Sequence, residues 1–140
     1  MSKNSTESKI NLKLVTQADF EFLFNILKTR DSRVNISHKK MPTYAQHIKF
    51  VKSKPYSKWY VIIQNKEKIG SIYLSKNDEI GIFILKEFQK QNIGKTAMLE
   101  LIKKNPRKRY LANVNPKNNY SIEFFKKNGF KLIQHTYELN

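Results

Sequence analysis

Residues 89–96, with the sequence Gln-Lys-Gln-Asn-Ile-Gly-Lys-Thr, have the composition and position of a turn that could bind phosphate groups. They lie between a β-branched, apolar run and an amphipathic helical pattern. The first backbone N–H groups of a helix have no intrahelical partner, and the helix dipole is positive there, so such a turn can bind phosphate without a metal ion. Gly94 leaves room for close approach, and Lys90 and Lys95 add positive charge. An ordinary strand-to-helix turn is the alternative interpretation.

Periodicity and capping residues predict the elements that would position this turn. Thr16 with Asp19 and Thr43 with Gln46 have the spacing of helix starts. Apolar residues at helical or alternating spacing predict the remaining boundaries. The predicted order is strand Asn11–Val15, helices ending near Arg30 and Pro55, strands Trp59–Gln64, Lys68–Leu74 and Glu79–Leu85, helix Asn92–Lys104, strand Arg109–Val114, helix Asn118–Asn128 and one or two strands within Phe130–Leu139.

This order predicts an α/β (α+β) fold, with a mostly antiparallel sheet of six to seven strands and about four helices. The chain of 140 residues is short enough for a single domain, which we expect to span residues 10–140 after a flexible polar tail of residues 1–9. There is no cysteine, so no disulfide, thiolate metal site or thiol nucleophile can form. Because the three histidines have no recognisable ligand spacing, we expect no metal site.

Two motifs resemble those of the GNAT superfamily of acyl-CoA-dependent N-acetyltransferases. Gln89, Asn92 and Gly94 match its loop of Arg or Gln, two residues, Gly, any residue, then Gly or Ala, with Asn92 replacing the first glycine. The segment from Asn115 to Phe130 is similar to its Asn-x-x-Ala-x-x-x-Tyr-x-x-x-Gly-Phe motif, with Asn118 resembling the family asparagine. The resemblance extends from about Asn11 to Leu139 and includes the order of the elements. It implies the GNAT fold and acetyl-CoA as acyl donor.

The resemblance also implies which residues hold acetyl-CoA. The strand before the loop would bind the pantetheine arm through its backbone, the loop would bind the pyrophosphate, and the last helix would contact the arm. A plain buried strand and an ordinary helix cap at Asn118 are the alternatives. The predicted donor-binding residues are Ile82, Phe83, Ile84, Gln89, Lys90, Gln91, Asn92, Ile93, Gly94, Lys95, Thr96, Asn118 and Ser121.

Acetyl transfer to an amine needs a proton acceptor and a proton donor for the leaving thiolate. Glu79 lies within a residue of a strand-borne glutamate that serves as base in some GNAT enzymes, and a solvated strand end is its alternative role. His47 has a suitable pKa, and its helix resembles the helix of GNAT members that acetylate nucleotide-linked amino sugars; a surface histidine is the alternative. The family's acid tyrosine corresponds to Phe125, so Tyr120, Ser121, water or an unassisted departure must replace it.

The predicted function is direct acetyl transfer to a primary amine of a small molecule such as a nucleotide-linked amino sugar. A protein N-terminus or lysine is an alternative acceptor. Another alternative is a catalytically impaired GNAT module that uses its net charge of +16 to bind nucleic acid or another polyanion. Dedicated nucleic-acid recognition is less favoured because only 4 of 27 basic residues are Arg, and much of the charge can be compositional. We expect a cytoplasmic monomer or homodimer without membrane association.

Overall fold

The computed structural model describes residues 9–29, 41–89 and 91–140. Its strands are β1 (Ile10–Leu14), β2 (Lys58–Gln64), β3 (Glu67–Leu74) and β4 (Ile80–Ile84). Its helices are α1 (Phe20–Thr29), α2 (Tyr44–Lys52), α3 (Ile93–Lys104) and α4 (Asn119–Lys127). Short 3-10 turns, Gln17–Asp19 and Lys86–Phe88, precede α1 and α3. The α/β (α+β) fold with an antiparallel sheet and four helices is confirmed.

The four strands form one antiparallel sheet in the order β1-β2-β3-β4. A two-residue turn joins β2 to β3, and its residues Asn65 and Lys66 both have positive φ, 53° and 64°. Positive φ at both positions matches the right-handed twist of the strands, so this turn sets the pairing of Gln64 with Glu67. A register shift between Ile62 and Ile63 marks a β-bulge in the same pair of strands.

The two faces of the sheet carry different helical layers. Ile62, Ile72 and Ile80 project from one face into the main core, which also contains Ala97 and Leu101 of α3. Alternate residues project from the opposite face, where Val61 and Ser71 are buried and where α1 contacts β3. The sheet is therefore enclosed by α3 and α4 on one side and by α1 and α2 on the other.

A buried carboxylate attaches the start of α1 to the sheet. Asp19 is fully buried and forms ion pairs of 2.7 Å with Lys13 of β1 and 2.8 Å with Lys68 of β3. It also accepts the backbone N–H of Thr16 at 2.8 Å, as its capping position predicted. Burial alone would raise the pKa of Asp19, but the two lysines and the Thr16 N–H lower it to about 2.

The predicted count of six to seven strands is wrong, because only four strands form in the residues described. Within the predicted strand Arg109–Val114, only Leu111 pairs, in an isolated parallel bridge with Glu79. No strand forms in Phe130–Leu139, where Leu132 and Tyr137 are 75% and 88% exposed. A strand needs a partner edge, and alternating side chains alone cannot supply one.

The other predicted boundaries agree with the observed elements within a few residues, and Arg30 lies outside the residues described. The predicted flexible tail falls almost entirely on residues 1–8, which also lie outside the residues that the structure describes. Among the described residues, no helix has the length and apolar character needed to span a bilayer.

Candidate active site

An open wedge separates β4 from the chain that follows Leu111. The Ile80 N–H donates to the Leu111 carbonyl at 2.7 Å, and the Leu111 N–H donates to the Asp78 carbonyl at 2.9 Å. Beyond this bridge the two segments do not pair within the described part of the chain. Polar backbone groups alternate along a strand, so those of Ile82 face the same open side as the Ile80 N–H. The wedge therefore presents backbone hydrogen-bonding groups of β4 to a ligand.

The turn after β4 places the start of α3 at the mouth of this wedge. The Gln89 side chain donates to the Ile84 carbonyl at 2.9 Å and connects the turn to the strand end. Asn92 precedes the helix in the left-handed conformation, with φ 64° and ψ 9°. Asparagine tolerates that conformation better than most residues, which explains how it replaces the family glycine. The first intrahelical bond is from the Thr96 N–H to the Asn92 carbonyl, so the preceding N–H groups of α3 have no helical partner.

Gly94 is the contact point between α3 and α4. A Cβ atom at Gly94 would lie 2.9 Å from Cε1 and 3.3 Å from Cζ of Phe124. Glycine therefore lets the Phe124 ring pack over the first turn of α3. This packing requirement exists beside any role of Gly94 in phosphate binding, and the sequence did not predict it.

The start of α4 faces the same cleft. Asn118 caps this helix by accepting the Ser121 N–H at 3.1 Å, so the predicted capping role is confirmed. Tyr120 is 48% exposed and lines the cleft together with Ser121. Phe125, at the position of the family tyrosine, is only 7% exposed and packs against Phe124 and Phe130 in the core.

His47 lies on the opposite wall of the cleft, on α2. It is only 3% exposed, so the surface alternative is wrong. Its side chain hydrogen-bonds the Phe20 backbone, and Nε2 is buried without a partner in the described residues. Because Nε2 is unpaired, the bond to Phe20 comes from Nδ1. Burial lowers the pKa of His47 more than this hydrogen bond raises it, so the imidazole is neutral at pH 7 and Nε2 carries a lone pair.

Glu79 lies at the closed end of the wedge. Its carboxylate accepts hydrogen bonds from Ser75 Oγ at 3.1 Å and from Asn113 Nδ2 at 2.8 Å. Asn113 lines the cleft and Glu79 lies behind it. Glu79 as a whole residue is half-buried, and the hydrogen bond between its carboxylate and Asn113 is exposed to solvent.

The cleft combines most of the predicted site residues in one space of about 2050 Å³, which exceeds the volume usual for one small ligand. Ile93 is instead buried in the core, Thr96 is exposed beside the cleft, and Lys90 lies outside the described residues. Predicted residues that line the cleft are His47, Ile82, Phe83, Ile84, Gln89, Gln91, Asn92, Gly94, Lys95, Asn118, Tyr120 and Ser121.

Sequence reasoning missed an aromatic cluster on the α2 side of the cleft, formed by Phe50, Tyr56, Trp59 and Tyr73. The Tyr56 and Tyr73 rings stack with centroids 3.8 Å apart, and Tyr56 meets Trp59 edge to face at 4.8 Å. These residues come from α2, a loop and two strands, so no spacing in the sequence connects them. The sequence contained one signal of this cluster. Pairing of the predicted strands β2 and β3 places Trp59 opposite Tyr73.

The Acetyltransferase (GNAT) family matches residues 20–130, which is most of the chain. The chain belongs to this family. No curated protein sequence gives a significant match. Solved structures show the same fold. A domain from Methanocaldococcus jannaschii is 23% identical, with a TM-score of 0.81 and 94% of both chains covered.

Two further GNAT-fold neighbours are named for their ligands or acceptors. A spermidine N-acetyltransferase SpeG chimera from Vibrio cholerae and hSSAT is 15% identical, with a TM-score of 0.74 and coverage of 95% of this chain and 89% of the other. RimL, a ribosomal L7/L12 alpha-N-protein acetyltransferase in complex with coenzyme A, is 16% identical, with a TM-score of 0.71 and coverage of 91% and 83%.

As a GNAT N-acetyltransferase, this protein takes its acetyl group from acetyl-CoA. The residues present fit that donor, because the wedge offers backbone groups to an extended arm and the α3 start offers unpaired N–H groups to phosphates. Lys95, Lys117 and Lys127 line the cleft and can neutralise phosphate charge. Among the described residues, no group of three or more His, Asp or Glu side chains is arranged to hold a metal ion.

Proposed function

We propose that this acetyltransferase transfers the acetyl group directly to the primary amine of a small molecule, and that the acceptor is a nucleotide-linked amino sugar. The observation that carries the proposal is one continuous cleft, with the α3 start at one wall and the buried, neutral His47 at the other. The cleft is large enough for both substrates at once. A covalent cysteine intermediate is impossible because the chain has no cysteine.

The proposed reaction requires an unprotonated amine. The amine nitrogen forms a bond to the thioester carbonyl carbon, the carbon–sulfur bond breaks, and the proton lost from nitrogen passes to a base. Acetyl-CoA supplies the reactive thioester. Its binding involves the predicted backbone of residues 82–84, the turn of residues 89–96, and Asn118 and Ser121 beside it.

His47 is the first candidate base in this proposal. Its Nδ1 is held by the Phe20 carbonyl, and its Nε2 is left without a partner among the described residues. Because Nε2 is buried in the cleft wall, it would take the proton through a water molecule or after a small movement of the side chains that cover it. Glu79 is the second candidate, and it would act through Asn113 or a bridging water because it lies behind that side chain. Tyr120 is the candidate donor to the leaving sulfur, since Phe125 has no proton to give and is buried in the core.

The amino-sugar acceptor is supported by the similarity of the α2 segment noted in the sequence. Protein and polyamine acceptors, after which two of the structural neighbours are named, are the competing possibilities. The proposal also includes a single domain over residues 10–140 and a cytoplasmic monomer or homodimer. Size-exclusion chromatography with light scattering measures the oligomeric state directly.

The first test is calorimetric titration with acetyl-CoA and with ATP, each at about 0.15 M and 0.5 M salt. We expect acetyl-CoA to bind more tightly than ATP and to lose little affinity at the higher salt. Equal binding of both ligands, weakened steeply by salt, would instead indicate a polyanion-binding module, because counterion release dominates binding through surface lysines.

The second test is acceptor-dependent release of the coenzyme A thiol. With an active acceptor, we expect His47→Gln and Tyr120→Phe to lower kcat while leaving the Kd for acetyl-CoA unchanged. Glu79→Gln distinguishes the two candidate bases. If His47→Gln retains the wild-type kcat and Glu79→Gln loses it, the proposed order of the bases is wrong.

A further inference from the structure

The aromatic cluster of Phe50, Tyr56, Trp59 and Tyr73 extends from α2 to the strand that lines the donor wedge. Tyr73 pairs with Gly81 of β4, and its ring lies directly over that glycine. A Cβ atom at Gly81 would approach the Tyr73 ring within 2.1–2.4 Å, so any other residue would displace the ring. The cluster therefore continues to the residue next to Ile82. A molecule resting on it would have its reactive group close to the wedge.

The cluster also contains a polar atom that the protein leaves unpaired. The indole Nε1 of Trp59 is buried and has no hydrogen-bond partner among the described residues. Leaving a buried donor unpaired costs free energy, because the donor has lost its bond to water. Trp59 is a cleft-lining residue, so a ligand that carries a hydrogen-bond acceptor and displaces the side chains covering Nε1 can remove this cost.

The charge of the cleft restricts the class of ligand. The carboxylates that line it within the described residues are Glu87 and Glu123, which lie before α3 and on α4. No carboxylate lines the α2 side of the cleft within the described residues, and the last turn of α2 carries Lys49 and Lys52. A polycation such as a polyamine needs carboxylates to replace its hydration and would be repelled by a protein of net charge +16. One ammonium group could contact the ring faces, but it cannot accept the indole N–H.

We propose that the Phe50–Tyr56–Trp59–Tyr73 cluster is the acceptor-binding wall and selects a saturated ring amine that carries oxygen, as an amino sugar does, over polyamines and unsubstituted ring amines. This inference rests on the proposed function. The C–H face of the sugar ring packs on the aromatic side chains, and a ring or hydroxyl oxygen accepts the Trp59 N–H. Trp59 is then a specificity-determining residue that contacts substrate without taking part in proton transfer.

The test compares Trp59→Phe with the wild type, using glucosamine, UDP-glucosamine and cyclohexylamine as acceptors. The substitution keeps one aromatic ring and removes the N–H donor together with the second ring of the indole. The lost ring surface affects all three amines, whereas the lost donor affects only the sugars. We expect KM for the two sugars to rise about 2–10-fold and KM for cyclohexylamine to stay within about 2-fold, as the loss of one neutral hydrogen bond predicts. Taking the variant-to-wild-type ratio for each amine cancels the differences in amine basicity. Equal changes for all three amines would overturn the assigned hydrogen bond.

A binding measurement keeps the inference testable if the variant folds poorly. Trp59 is the only tryptophan, so emission excited at a wavelength that tyrosine does not absorb reports on this wall. We expect glucosamine to change the emission in a saturable way and spermidine, at matched ionic strength, to leave it unchanged. Saturation of turnover by glucosamine with constant emission would overturn the inference, as would a higher kcat/KM for spermidine.

The proposed function and this inference fail in different ways. Absence of thiol release with every amine tested would remove the proposed function, and the acceptor wall with it. Transfer to amino sugars that is insensitive to Trp59→Phe, with no fluorescence change, would remove only the acceptor wall. Tyr137→Phe serves as a matched aromatic control, because Tyr137 is 88% exposed and lies outside the cleft lining.

Discussion

Replacing Asp19 by Asn should remove the main electrostatic attachment of α1 to the sheet. The folded-state pKa of about 2 lies below the ordinary value of 3.8. At about 1.36 kcal/mol per pKa unit, that difference corresponds to about 2 kcal/mol of stability at pH 7. Because the folded pKa is the lower one, this stability is fully present above about pH 4 and is lost as the pH falls towards 2.

Urea unfolding of the wild type and Asp19→Asn between pH 2 and pH 7 measures this contribution. We expect the variant to be about 2 kcal/mol less stable at pH 7, with a Tm lower by about 4–8 °C, and the difference to shrink as the pH approaches 2. Asp78→Asn is the matched control, because the Asp78–Arg107 ion pair is partly exposed and should contribute no more than about 1 kcal/mol. An equal loss in both variants, or a difference independent of pH, would refute the reasoning.

Three further predictions concern the cleft. Gly94→Val should raise the Kd for acetyl-CoA at least tenfold, as measured by calorimetry. It should also lower the free energy of unfolding by about 1–3 kcal/mol, because the new side chain displaces Phe124. Leu99→Val, on the exposed face of α3, is the control and should leave the Kd unchanged. Asn92→Gly should keep the wild-type affinity for acetyl-CoA, and Asn92→Val should lose it, because a β-branched residue disfavours φ near 64°. Similar affinities of the two variants would show that the left-handed turn is unimportant for binding. The pKa of His47 is lower in the folded state than in the unfolded state, so the unfolded state binds the proton first as the pH falls. The free energy of unfolding should therefore decrease as the pH drops below about 6.5. Urea unfolding of His47→Gln should lack this part of the pH dependence.

Local signals in the sequence were sufficient where a few neighbouring residues decide the backbone. Thr43 and Gln46 form the predicted reciprocal cap, with hydrogen bonds of 3.1 and 2.8 Å. Asn118 caps α4 as predicted. Asn92 adopts the left-handed conformation that its residue type favours. Hydrogen bonds between residues three positions apart depend on near neighbours and not on distant contacts. These features can therefore be inferred from residue type and spacing.

The same signals failed where a strand needed a partner. Apolar alternation predicted strands at 109–114 and 130–139, but β4 pairs with the first of these only at Leu111, and no strand forms in the second. Alternation shows that a segment can present one apolar face. Only the arrangement of the neighbouring chain determines whether an edge is available for it to join.

The sequence by itself determined the family and the caps and turns that begin its helices, because these depend on short motifs read along the chain. The tertiary structure alone decided that His47 is buried, that Glu79 lies behind Asn113, and that Trp59 joins an aromatic wall with residues from three other elements. Burial and contact between distant residues depend on how the sheet and helices pack. That packing is a property of the whole fold, and no spacing within one segment contains it.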